Sequence, residues 1–171
     1  MNFKKLVLCA ATICALVVAA TAQMNAARGK AEATVKGKKI TIDYGRPSLK
    51  GRDIFSMVQP GMVWRVGMNQ ATQIESTGDL VVAGKEVKAG KYTLWAKKTG
   101  ADSWILAFHP KTGVWGAPPL KDGYIAELPL KTEKVGDSAE ELTITLADNN
   151  GKAGINIHWG TAALVGSFDV K

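Results

Sequence analysis

KYTLWAKKTGADSWILAFH, residues 91–109, decides the fold class. Its first half alternates: Tyr92, Leu94 and Ala96 share one face of an extended chain, while Thr93 and Trp95 share the other. Gly100, Ala101 and Asp102 mark a turn, and Trp104–His109 is a nearly continuous apolar run of the kind found in central strands. The pattern continues on both sides. Upstream, residues 31–35 and 39–44 alternate around a turn at Lys36-Gly37-Lys38, with Ile40, Ile42 and Tyr44 on one face. Further strands are expected at 72–76 and 80–83. Downstream come 124–130, 142–146, 153–159 and 163–170, with a tight hairpin turn at Asn149-Asn150-Gly151. Pro129 points to an edge position or a bulge. Residues 110–122, with Pro110, Gly113, Gly116, Pro118 and Pro119, form a second long loop. With no helix of convincing length, no internal repeat and no second domain, the expectation is all-β: a single antiparallel two-sheet β-sandwich, jelly-roll-like, with a long irregular insertion at about 45–71.

The N-terminus reads as a targeting segment. Lys4 and Lys5 precede an apolar core at 6–20, and Ala20-Thr21-Ala22 supplies the small-x-small pattern that signal peptidase accepts. That core is short for a membrane span, which needs about 20 residues. The expected organisation is a signal peptide at 1–22, cleaved after Ala22, a loose leader at 23–30 and one domain at 31–171, periplasmic or secreted, with no membrane span after cleavage. Both cysteines, Cys9 and Cys14, leave with the signal. That excludes cysteine nucleophiles, thiolate metal sites and a disulfide framework from the mature part. The formal charge of +7 falls to +5 when Lys4 and Lys5 are removed, because no acid lies in 1–22. The surplus is spread over scattered lysines, a solvated face rather than a basic stripe, so no nucleic-acid partner is expected.

The stretch from Tyr44 to Thr72, YGRPSLKGRDIFSMVQPGMVWRVGMNQAT, lacks strand alternation and holds three of the four arginines and three of the five methionines. Since 18 of the 22 basic residues are lysines, arginine at 46, 52 and 65 implies a need for the planar guanidinium fork. One reading is a ligand grip beside Trp64 and Tyr44; the other is structural, with arginines tying down an irregular loop through backbone carbonyls and Asp43 or Asp53. Asn69 and Thr72 could contact a sugar or could cap the loop's own backbone. The candidate ligand-binding set is therefore Tyr44, Arg46, Arg52, Trp64, Arg65, Asn69 and Thr72. His109 and His158 end apolar strands, and no metal-ligand spacing, nucleophile elbow or phosphate loop accompanies them, so neither a metal nor a cofactor is expected. Trp95, Trp104, Trp115 and Trp159 invite a carbohydrate-platform reading, although tryptophans in a sandwich are more often core residues. Trp115 is the exception, because it sits in a loop.

Tyr44-x-Arg46-Pro47-Ser48-x-Lys50-Gly51-Arg52-x-Ile54-Phe55, followed by Val63-Trp64-Arg65-x-Gly67-x-Asn69-x-Ala71-Thr72, resembles the two-part signature of the DUF2911 family. The family's Ala-Gly-x-Tyr-x-Leu element is matched at residues 89–94. The resemblance implies an exported bacterial β-sandwich of unassigned role. Where members commonly read Ala-Asn-Glu-Ala-Thr, this chain reads Met68-Asn69-Gln70-Ala71-Thr72, and a glutamine cannot act as a carboxylate base. The expected function is thus non-enzymatic binding of a small polar or anionic ligand, a glycan fragment among the candidates, at a pocket of residues 44–72 aided by 110–122. The alternatives are a hydrolase-type enzyme using Asp43, Asp53 or His109 with arginine, and a component that docks another envelope protein through an exposed Met57, Met62 and Met68.

Overall fold

A computed structural model describes residues 28–171. The signal peptide expected at 1–22 and the leader residues up to 27 lie outside the described residues. The described residues form ten antiparallel strands and one helical turn. They are β1 (Arg28–Val35), β2 (Lys38–Gly45), α1 (Ile54–Met57), β3 (Val63–Trp64), β4 (Gln73–Ser76), β5 (Leu80–Val82), β6 (Lys85–Val87), β7 (Gly90–Lys98), β8 (Ser103–His109), β9 (Ala126–Asn149) and β10 (Lys152–Val170). β1 starts at Arg28, inside the expected leader.

Antiparallel all-β architecture is what the alternation required. The two expected layers are nevertheless one hydrogen-bonded sheet, ordered β1-β2-β4-β7-β8-β9-β10-β5-β6, with β3 paired to β7 and no closure into a barrel. Continuity comes from the length of β9 and β10, which replace two shorter expected strands each. Their ladder runs from Lys131↔Val165 to Asn149↔Lys152 and slips twice around Gly160, whose φ of +71° lets β10 bend without breaking. The sheet folds over so that β1 runs beside β9. Pro129 pairs with Ile105 of β8 but lies beyond the β9–β10 ladder, so its missing N–H falls where β9 is bonded on one side only.

The core is the sum of the inward faces: Ile40, Ile42 and Tyr44 of β2, Leu94 and Ala96 of β7, Leu106 and Phe108 of β8, Leu142 and Ile144 of β9, Ile155 and Ile157 of β10. β7 is buried on both faces. Its second face, Thr93 and Trp95, is covered by the 110–122 loop; the Thr93 hydroxyl donates to the Lys111 carbonyl at 3.0 Å and accepts the Trp95 indole N–H at 3.0 Å. Both long irregular segments are therefore packed onto the sheet.

Candidate functional site

The stretch from 46 to 72 is pinned at both ends and in the middle. Residues 47–49 bond to β9, through Leu49 N–H to Glu140 at 2.7 Å and Leu142 N–H to Pro47 at 3.1 Å. α1 follows, capped by Asp53, whose carboxylate accepts from Ser56 N–H at 3.3 Å. β3 then adds to β7, and Gln70 forms an isolated bridge with Trp115 of the second loop.

Each of the seven residues singled out from sequence makes contacts within the protein, and none lines either of the two cavities described below. Tyr44 is buried, its hydroxyl 3.4 Å from the Ile144 carbonyl. Arg46 pairs with Glu141 at 2.9 Å. Arg52 donates to the carbonyls of Leu49 at 3.0 Å and Ser48 at 3.1 Å. Arg65 reaches the Asn69 carbonyl at 3.4 Å, and its stem lies against Gly116. Asn69 takes a left-handed backbone, φ +61°, and its carbonyl also accepts from Gly116 N–H at 2.9 Å. Thr72 is buried and donates to the Val66 carbonyl at 2.8 Å. The contacts of Arg52, Arg65 and Thr72 follow from the irregularity of the segment: without a ladder partner its carbonyls are met by side chains. Thr72→Val keeps the shape but leaves the Val66 carbonyl unpaired, and is expected to lower unfolding free energy by about 1–3 kcal/mol in urea denaturation. Thr72→Ser, which keeps the hydroxyl, is expected to lose less.

Trp64 belongs to an aromatic cluster. It stacks on Trp159 at 5.9 Å and 13°, and meets Phe55 and Trp104 edge-on at 6.1 and 6.5 Å. The outer side of this cluster is the floor of a cleft of about 740 Å³. One wall is the 53–60 segment of the stretch (Asp53, Phe55, Gln59); Lys98, Trp104 and Trp159 line it from the sheet. The volume is that of a small-molecule site.

Lys98 is the unusual residue of the cleft. It is only 8% exposed, yet among the described residues its ammonium has no carboxylate within 4 Å. It donates to the Phe55 carbonyl at 2.8 Å and lies 5.5 Å from the Trp104 ring centre. Sequence reasoning missed it, although the signal was present: Lys98 continues the face of Leu94 and Ala96 by strict period two.

The three groups proposed for acid–base chemistry are separated. Asp43 ion-pairs with Arg28 on the outer face of β2. Asp53 caps α1 at the cleft. His109 lines neither this cleft nor the cavity beside Asp43; its Nδ1 accepts from Lys111 N–H at 2.9 Å and its ring abuts Tyr124. Among the described residues no group of three or more His, Cys, Asp or Glu is placed to hold a metal ion, and no helix is long and apolar enough to cross a membrane.

No curated protein and no solved structure matches the chain. One family model does match, described as a protein of unknown function (DUF2911), and it covers residues 26–167, a span that takes in β1 to β9 and most of β10. With most of its length matched, this chain belongs to the DUF2911 family.

Proposed function

We propose that this is an exported, non-enzymatic envelope protein that binds a small polar anion, such as an organic or sugar acid or a phosphate, in the cleft between residues 53–60 and the Lys98–Trp104–Trp159 surface. The observation that carries the reading is Lys98. Burying an ammonium is unfavourable by several kcal/mol unless charge or hydrogen bonds compensate. One carbonyl occupies one of its three donors, so the other two suit an incoming anion. The aromatic floor would cover the ligand's apolar part, and the dispersal of Asp43, Asp53 and His109 favours binding over hydrolysis. Export rests on the sequence of residues 1–22, and N-terminal analysis of the secreted chain is expected to begin at Gln23.

A thermal-shift series with sulfate, phosphate, dicarboxylic acids and sugar acids tests the site. A ligand at a hundred times its Kd stabilises by about 2.7 kcal/mol, a rise of about 5–10 °C in Tm for a domain of this size. Lys98→Met keeps the stem and removes the charge, so it is expected to fold, with Tm within a few degrees of the parent, and to lose the rise. An equal rise in Lys98→Met, or no rise with any anion, defeats the proposal. A second reading, protein docking, is favoured by Met57 and Met62, which are 58% and 52% exposed on the same segment, while Met68 is half-buried. It predicts that a partner captured by the parent chain is lost on Met57→Gln/Met62→Gln.

A further inference from the structure

Trp115 is 52% exposed, whereas Trp95, Trp104 and Trp159 are buried and Trp64 is enclosed by other aromatic rings. Its loop is firmly attached. Val114 accepts from Ala71 N–H at 3.1 Å, Gly116 donates to Asn69 at 2.9 Å, and Trp115 itself bridges Gln70. Residues directly opposite in an antiparallel bridge send their side chains to the same face. Trp115 and Gln70 therefore leave the bridge on the same face, and Gln70, though not Trp115 itself, lines an adjoining cavity of about 580 Å³ on the outer face of β1, β2, β4 and β7. This cavity shares no lining residue with the Lys98 cleft.

The electrostatics of that cavity differ from those of the cleft. Each of its four cations has an acidic partner: Arg28 with Asp43, Lys30 and Lys39 with Glu32 at 2.6 and 3.1 Å, and Lys91 with Glu75 at 3.2 Å. Hydrogen bonds from Lys30 and then Lys39 hold the Glu32 carboxyl down at about 2, so it stays ionised in any physiological medium. An anion would compete with carboxylates already in place. A neutral ligand with many hydroxyls would not, because Gln70, Gln73 and Thr41 offer groups that both donate and accept.

We propose that this face binds a neutral carbohydrate chain, with Trp115 as the platform for one sugar ring and Gln70 and Gln73 as hydrogen-bonding partners of its hydroxyls. A pyranose presents an apolar C–H face and a polar rim, matching an exposed indole next to a cavity lined by two amides. Because the loop is already bonded in place, little ordering entropy opposes the contact. The assignment is independent of the anion cleft and stands whether or not that cleft is occupied.

The test uses the chain purified from expressing cells, labelled with nitrogen-15, and four neutral probes: cello-, malto- and xylotetraose and the fully N-acetylated chitotetraose. At least one is expected to shift the Trp115 indole N–H resonance, identified by its absence in Trp115→Ala, with a Kd of about 1 mM or tighter. Measured by calorimetry, Trp115→Ala is expected to weaken that binding about tenfold or more at unchanged Tm. Gln70→Ala and Gln73→Ala, which leave the indole in place, are expected to weaken it a few-fold and decide the matter even if the tryptophan variant folds poorly. No shift with any of the four overturns the proposal. So does undiminished binding in the glutamine variants, and so does preference for an anionic oligosaccharide such as tetragalacturonate.

Discussion

Trp159→Ala is expected to lower the unfolding free energy by about 3–5 kcal/mol, the range for removing a large aromatic side chain from a packed interior. Trp159 is only 5% exposed. It supplies one face of the parallel stack with Trp64, which in turn holds Trp104 and Phe55 edge-on; Phe55 and Trp104 also meet directly at 5.8 Å and 78°. Each such pair adds about 0.5–1.5 kcal/mol beyond burial of area. The cluster ties α1 and β3 to β8 and β10, so its loss releases the segment that walls the cleft as well as leaving a void. Urea denaturation gives the size of the effect. Trp159→Phe, which keeps a ring in the stack, is expected to recover part of it. Because Trp159 lines the cleft, ligand-induced stabilisation should fall in parallel in the alanine variant. If Trp159→Ala unfolds within 1 kcal/mol of the parent, the stack is a surface contact and the cleft has another foundation.

The strands were legible because one face of each is buried and the other wet. Ile40, Ile42 and Tyr44 alternate with half-exposed Thr41 and Asp43, and Trp104–Phe108 sits between two strands, where an apolar run belongs. The unity of β9 was not legible. Residues 131–141, KTEKVGDSAEE, are in strand conformation but none is buried, so no apolar period marks them. Hydrogen bonding to β10 holds that part of the strand, and backbone pairing leaves no trace in side-chain pattern. The same limit applied to the site. Arg46, Arg52 and Arg65 stand out from the lysines in composition, but whether a guanidinium meets a ligand or a carbonyl depends on where the ladder stops. In the structure Arg52 and Arg65 meet backbone carbonyls of their own stretch, whereas Arg46 meets the Glu141 carboxylate. Trp115 and Gln70 lie 45 positions apart in the chain and are joined by one bridge, a pairing that a single sequence does not encode locally.

Gly45→Ala is expected to destabilise the fold by roughly 3 kcal/mol or more, the upper end for overpacking, because the obstruction is backbone. At the end of β2 the chain leaves through Gly45 and returns 22 positions later through Gly67, and the two glycines pass in contact. A Cβ on Gly45 would lie 2.8 Å from the Met68 amide nitrogen and nearer still to its carbonyl oxygen. A Cβ on Gly67 would lie 2.9 Å from the Gly45 carbonyl oxygen. Neither neighbour is the free end of a flexible side chain. The return is also strained: Val66, β-branched and fully buried, holds φ at +54°, a conformation that carries about 1–3 kcal/mol of strain. The Thr72 hydroxyl bonds its carbonyl and helps keep it there. Gly136, on the exposed part of β9 with nothing near its absent Cβ, is the comparison. Gly136→Ala is expected to stabilise by up to about 1 kcal/mol, since it restricts the unfolded chain without a clash. Opposite signs for the two substitutions in urea denaturation would tie Gly45, and with it Gly67 of the family signature, to this crossing. Equal small effects would show that the two segments can separate, and that the 46–66 stretch is held by its bonds to β9 and β7 and by its aromatic cluster instead.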